Sequence, residues 1–266
     1  MIGIDTTFNL GDFFVTPTTF RNTALRNRRT RKTPVFFGPT MIHYRNDTQA
    51  YGELLEYLRR ELQTSDGLVI GSDGAAALVN AVSTVFPDCI HLFCVRHVRS
   101  NIERQLIKIQ LSKEDRQKLL EQIFDCPESL IQSETDNEFD QRLDSLHDTW
   151  NNIVQKHGRR ISDSTDFFTW FNRYQSDTFR HHLIASVRLD AGYIDQYNSP
   201  RLFYNNDIEA LNHVLKRDTN WEVQSLSSII DIIDNEITMQ KNESVRALYD
   251  AGEYEIVAPY TRYTLS

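Results

Sequence analysis

Cysteine is scarce in this chain of 266 residues, which carries only Cys89, Cys94 and Cys126. An odd, sparse set builds no disulfide framework and fits a reducing compartment. Long apolar runs are missing too. No stretch approaches the roughly 18 consecutive apolar residues that a membrane-spanning helix needs. The first residues show no basic region followed by an apolar one, so no secretory signal is visible. Positive charge is not in excess: 29 Lys and Arg against 37 Asp and Glu leave a formal net charge of −8. That balance disfavours a protein that coats nucleic acid through its whole surface. Internal repeats and low-complexity tracts are absent as well. At 40% hydrophobic content there is apolar material for a substantial core, in one large domain or two small ones.

The opening residues, MIGIDTTFNL, alternate. Ile2, Ile4 and Phe8 share one face of an extended chain, and Gly3, Asp5, Thr7 and Asn9 share the other. This period predicts a strand with one face in a core. Asp5 then stands mid-strand on the polar face, either as a solvated acid or as a metal ligand. A turn at Asn9–Asp12 leads to a second strand in DFFVTPTTF, and TPVFFGPTMIH reads as a third. Between them lies a basic segment with Arg21, Arg26, Arg28, Arg29, Arg31 and Lys32, either a solvated loop or a phosphate-binding one. NDTQAYGELLEYLRREL is helical, with Tyr51, Leu54, Leu55, Leu58 and Leu62 on one stripe. The short run Leu68–Ile70 predicts a buried strand, with Asp73 just past its end. A helix bearing Leu78, Val82, Val85 and Phe86 follows, closed by Pro87. CIHLFCV is another strand, and Val98, Ile102, Leu106 and Ile109 mark the next helix. The order β-β-β-α-β-α-β-α implies an α/β fold with a mixed sheet and helices on its faces.

From about residue 112 the pattern changes. Ser112 and Asp115 form a helix-capping signature. Phe139, Leu143, Leu146, Trp150 and Val154 predict a long amphipathic helix ending near Gly158. DFFTWFNRY adds an aromatic cluster, and no strand is evident up to residue 200. An all-helical insertion over 112–200 accounts for this span. In NNDIEALNHVLKR, Ile208, Leu211 and Leu215 form a buried stripe, opposed by Glu209, Asn212, His213 and Lys216. A final helix through SLSSIIDIIDNEI is expected to turn Leu226, Ile229, Ile230, Ile233 and Ile237 inward. The organisation is thus 1–111 as the first part of the core, 112–200 as the insertion, 201–222 as a returning core helix and 223–266 as a C-terminal helical segment.

Three acids stand apart from the apolar stripes. Asp5 is in the first strand. Asp73 follows a buried strand, where open α/β sheets hold their ligands. Glu209 lies in the first turn of a helix. Each has a plainer alternative. Asp73 could cap the helix after it, and Glu209 could complete a capping box begun by Asn206.

Four blocks, IDTTFNLGDFFVT, GPTMIHYRND, IGSDGAAALVNAVSTVFPDCIHLFCVRHVRSNI and NNDIEALNHVLK, resemble the catalytic core of Mutator-like (MULE) transposases. These belong to the DDE group with a ribonuclease-H-like fold. The resemblance covers most of the first 111 residues and a short block near 209. It implies a ribonuclease-H-like five-stranded sheet, three antiparallel strands then alternating β/α, with a helical insertion before the last core helix. It assigns Asp5, Asp73 and Glu209 as catalytic ligands of two Mg²⁺ or Mn²⁺ ions. Two such ions, roughly 3.5–4 Å apart, stabilise both the attacking and the leaving oxygen of a phosphodiester. The implied activity is cutting and joining of DNA in transposition and recombination, by water attack and then by attack of the freed 3′-hydroxyl on target DNA. The alternative is a transposon-derived, non-catalytic binding or regulatory protein that keeps the fold.

The family's Cys-x-x-His element corresponds to Cys94 and His97. These residues either join a zinc site, with His181 and His182 as guesses for its missing ligands, or pack and hydrogen-bond locally near the acids. Asn212 and His213 share the face of Glu209 and would support it from beside, a plain surface histidine being the alternative for His213. Arg26, Arg28, Arg29, Arg31 and Lys32 would grip the DNA backbone. Implied partners are element ends and target DNA, with a homodimer as the assembly to look for and no membrane. A nuclear location follows from the DNA substrate. The recognition modules that usually flank such cores do not fit a chain with three cysteines, so the sequence reads as an excised or truncated core.

Overall fold

The structure is a computed structural model and describes residues 1–157 and 166–265. The expected helix end at Gly158 lies outside the described residues. The elements run in the order β1 (Ile2–Ile4), β2 (Phe14–Arg21), β3 (Leu25–Asn27), β4 (Val35–His43), α1 (Thr48–Glu61), β5 (Val69–Ser72), α2 (Ala76–Val85), β6 (Ile90–Phe93) and α3 (Val95–Lys108). The helices α4 (Lys113–Leu120), α5 (Asp136–His157), α6 (Phe167–Tyr174), α7 (Ser176–His182) and α8 (Ala185–Asp190) follow. The chain then forms α9 (Asn206–Asp218), α10 (Leu226–Leu248) and β7 (Tyr254–Ile256). The fold is α/β, with a mixed five-stranded sheet in the order β4-β2-β1-β5-β6. β2 pairs antiparallel with both β1 and β4. Among the described residues no helix is long and apolar enough to cross a membrane.

The chain divides into two compact units, one of Met1–Ile70, Ala75–Cys89 and Asn205–Ser266, the other of Gly71–Gly74 and Ile90–Tyr204. In the first unit, β1 separates two apolar clusters by simple alternation. Ile4 packs with Tyr51, Leu55, Leu58, Leu78 and Val82 of α1 and α2. Gly3 faces the other way. A Cβ there would stand 2.5 Å from Thr19 Oγ1 and 3.9 Å from Ile208 Cβ of α9. On that face Val15 and Phe37 pack with Ile208, Leu211 and Leu215 of α9 and Ile229 and Ile233 of α10. The space that a side chain at position 3 would need is taken by Thr19 of β2, while Ile208 of α9 would stand at ordinary contact distance.

In the second unit Trp150, Phe139, Phe167, Phe171 and Phe179 are fully buried, with ring centroids 5.1–5.8 Å apart for successive neighbours. The expected aromatic core of the helical region is therefore present. Ser112 caps α4 by accepting from Asp115 N at 3.1 Å. Among the described residues of 112–200 the only extended pairing is the isolated bridge Ile194–Pro200. Arg188 is a buried cation held by neutral acceptors, the carbonyls of Leu183, Pro200 and Ile131. Burial holds its pKa down to about 10.

Several expectations need correction. β1 stops at Ile4, so Asp5 stands one residue past the strand rather than within it. Phe8 is 45% exposed instead of inward. Beyond Asp5 the ladder survives only as the bridge Thr7–Val15. The basic segment is not a plain loop: it contains β3, which pairs antiparallel with β7 in a separate two-stranded sheet. The C-terminal segment is consequently not all helical. On α10, Ile229 and Ile233 are buried, but Leu226, Ile230 and Ile237 are 41%, 50% and 40% exposed. A helix against a sheet edge buries a stripe about 100° wide, too narrow for that whole set.

Candidate active site

In the first unit Asp5 and Glu209 line one cavity of about 270 Å³, together with Thr6, Asn212, His213 and Lys216. β1 delivers Asp5 at its end, and the α9 stripe Ile208–Leu211–Leu215 turns Glu209, Asn212 and His213 away from the core. Asn205 caps α9 through its position alone, without a side-chain capping bond. With Asn205 rather than Asn206 as the cap, Glu209 is one residue beyond the place a capping-box acid would take.

Asp5 is oriented from two sides. Its Oδ1 accepts from Thr6 N at 3.0 Å and its Oδ2 accepts from Asn212 Nδ2 at 3.1 Å. Asn212 is buried, and its Oδ1 has no partner among the described residues. A buried amide oxygen left unpaired costs roughly 1–3 kcal/mol, and it stands beside a carboxylate. The two carboxylates are hard oxygen donors, the ligand type Mg²⁺ and Mn²⁺ take. Beneath Asp5, Thr6 Oγ1 shares hydrogen bonds with Thr16 Oγ1 at 2.8 Å and Tyr51 Oη at 2.7 Å. Thr16 in turn meets His43 Nε2 at 2.8 Å. This polar network fixes the chain where β1 ends.

Asp73 belongs to the second unit and directly follows β5 as Asp5 directly follows β1. Its turn is held locally. Gly74 N donates to Ser72 Oγ at 3.2 Å, and Ser72 Oγ pairs with His91 Nε2 at 2.8 Å. Gly74 has φ +82°, and a Cβ on it would stand 2.9 Å from Phe93 Cδ2. Ala75, two residues beyond Asp73, is the N-cap of α2. Cys94 is buried at the N-cap of α3, its N donating to Ser72 O at 2.9 Å, and His97 N donates to Cys94 O at 3.0 Å. His182, guessed as a further zinc ligand, is engaged elsewhere. Its Nδ1 donates to His91 O at 2.7 Å and its ring stacks on Phe93 at 3.8 Å. Burial pushes the His91 imidazole down to about 3 and that of His182 down to about 4.

The basic residues of the first unit are largely engaged with acids. Arg26 Nε and Arg31 Nη1 both lie 2.8 Å from Glu255 Oε1, and Arg28 Nη2 lies 2.6 Å from Asp250 Oδ1. The hydrogen bond from Arg26, with the charge of Arg31 beside it, holds the Glu255 carboxyl below the usual carboxylate range. Arg29 and Lys32 are exposed.

No protein-family model matches this sequence, and no curated protein matches it either.

The cavity also holds residues that sequence reasoning passed over, Phe8 and Trp221. The available signal was a tryptophan lying outside any apolar stripe, a few residues beyond the end of α9.

Proposed function

We propose that the chain is the catalytic core of a DDE-type, Mutator-like transposase with a ribonuclease-H-like fold, cutting and joining DNA phosphodiester bonds. The observation that carries this reading is the shared cavity of Asp5 and Glu209, with Asn212 lining it and donating to Asp5 Oδ2. The sheet order β4-β2-β1-β5-β6, with an antiparallel first half, is compatible with that fold. Asp5, Glu209 and Asp73 would hold Mg²⁺ or Mn²⁺, which when bound supply positive charge to the attacking and leaving oxygens. Asn212 orients Asp5. Lys216 brings an ammonium to a phosphate approaching the carboxylates, and Thr6 N fixes the rotamer of Asp5.

The test is nicking of supercoiled DNA by the purified chain in Mg²⁺ or Mn²⁺. Asp5→Asn, Asp73→Asn and Glu209→Gln should each lower the rate by a factor on the order of 100 or more, at unchanged melting temperature. Wild-type protein that never nicks, or variants that nick as well as wild type, would end the nuclease proposal. A second reading, a transposon-derived binding protein without catalysis, is favoured by one observation. Arg26, Arg28 and Arg31 already have carboxylate partners, which leaves less charge for gripping DNA.

A further inference from the structure

Two aromatic side chains stand in the cavity of Asp5 and Glu209 with no part in orienting either acid. Trp221 is 63% exposed and Phe8 45% exposed, and both line the cavity. An indole left in water forfeits the burial that usually keeps tryptophan in a protein. Its backbone is costly as well. Asn220 and Trp221 are consecutive non-glycine residues in the left-handed region, at φ 52° and 61°, a conformation that asparagine tolerates but that disfavours a bulky residue such as tryptophan. Such strain, held in place by its surroundings, is a feature from which function is inferred.

What holds Trp221 is specific. Its N donates to Lys216 O at 2.8 Å, and Glu222 N donates to Thr219 O at 3.0 Å, so the turn is closed around it. His213 meets the indole edge-to-face, with centroids 5.3 Å apart and planes at 70°. Phe8 is steadied the same way by Phe14, at 5.6 Å and 82°. Both rings are therefore held by a neighbour while still exposed. Lys216, whose carbonyl anchors Trp221, also lines the cavity. Exposed, held rings beside a cation and a pair of acids suit a ligand that is flat, apolar on its faces and linked to phosphate.

We infer that Trp221, braced by His213 and assisted by Phe8, is a stacking platform for an unpaired nucleobase next to Asp5 and Glu209, with Lys216 on the adjoining phosphate. The inference rests on the reading of this cavity as a phosphodiester-cutting site and names the state of DNA it accepts. A base inside an intact duplex has both faces covered, whereas a single-stranded or splayed-out nucleotide offers one to the indole. Stacking is tolerant of sequence because every base has such a face. The platform therefore selects strand state rather than sequence.

The test uses the full chain with Asp5→Asn and Glu209→Gln, which removes cutting and the negative charge that repels phosphate. A labelled oligothymidylate and a duplex of equal length are titrated by fluorescence anisotropy. Trp150 is fully buried and Trp170 half-buried, so Trp221 supplies the accessible tryptophan emission. The single strand should quench that emission and bind about tenfold or more tighter than the duplex, and Trp221→Ala should weaken its binding about tenfold. Trp221→Phe should restore most of the affinity, because stacking needs a ring rather than an indole, and both variants should melt with the parent. Equal affinity in Trp221→Ala, or a duplex bound as tightly as the single strand, overturns the platform. The two readings fail separately. Quenching that persists in a protein whose wild type never nicks supports the platform and sinks the nuclease. Nicking with unchanged strand-state preference in Trp221→Ala on the wild-type acids sinks the platform and leaves the nuclease.

Discussion

Asn212 illustrates how much one side chain in this site has to do. Its amide nitrogen reaches Asp5 Oδ2, and its buried oxygen is left over. Asn212→Leu keeps the approximate volume, removes the orphaned oxygen and abolishes the bond to Asp5. Stability should change by no more than about 1 kcal/mol, since loss of a hydrogen bond is offset by relief of an unsatisfied atom. Metal-dependent nicking should fall at least tenfold, because the carboxylate loses the orienting bond from Asn212 Nδ2. Equal nicking by Asn212→Leu would remove Asn212 from the site. Gly74 makes the complementary case in the second unit. Its φ of +82° and the Phe93 ring 2.9 Å from a Cβ both oppose a side chain. Gly74→Ala should cost roughly 1–3 kcal/mol, seen as a lower denaturation midpoint, and should disturb the Asp73 turn that Gly74 N fixes through Ser72. A variant of unchanged stability would show that the turn tolerates another conformation.

Among the elements, the β3–β7 ribbon changes the meaning of the basic segment. Taken as a local run of charge, Arg26, Arg28, Arg29, Arg31 and Lys32 look free to bind phosphate. The ribbon instead sets Glu255 between Arg26 and Arg31. Glu255→Gln would release two guanidinium groups while leaving the strand pairing intact. Any DNA affinity of the chain should then rise, and its salt dependence should steepen by about one to two phosphate contacts. Charge reversal at Arg29 and Lys32, which are exposed, should lower affinity across sequences. Binding insensitive to all of these changes would take this segment out of the DNA interface. The pair Arg21–Asp207 has a different task. Nε and Nη2 of Arg21 donate to Asp207 at 2.8 and 2.9 Å, tying the end of β2 to the first turn of α9. Half of the Arg21 side chain is exposed, so its contribution to stability is small, below about 1 kcal/mol.

For the whole molecule, acid is the sharpest lever on stability. His91 and His182 titrate at about 3 and about 4 in the folded chain, because burial penalises the charged imidazole and, for His91, His182 adds repulsion. In the unfolded chain both return to about 6.5. Below that value the unfolded state binds protons that the folded state refuses, so stability is lost as pH falls from about 6.5 towards about 4. By pH 5 the loss is roughly 2 kcal/mol per imidazole. Denaturation midpoints compared at pH 7 and pH 5 measure it, and His182→Gln should reduce the difference. A midpoint that does not move would mean that these rings reach solvent in the folded protein.

Local patterns in the sequence were enough to give the order β1, β2, β4, α1, β5, α2, β6, α3, the buried stripes of α1, α2, α3 and α9, the Ser112 cap and the aromatic core of the helical region. Those features depend on residues three or four apart, or on strict alternation, and such spacings are written directly in the chain. Asp5 and Glu209, which share a cavity, could likewise be picked out, because each falls outside an apolar stripe. Tertiary structure alone decided the rest. Arg26 meets Glu255 across 229 residues, β3 exists only because β7 pairs with it, and α10 keeps half of its apolar residues exposed because one sheet face receives a single stripe. The cavity is built by residues 5–8 and 209–221, which no local period connects. Long-range contacts of this kind depend on which surfaces remain after the local elements have packed, and no short stretch of sequence contains that information.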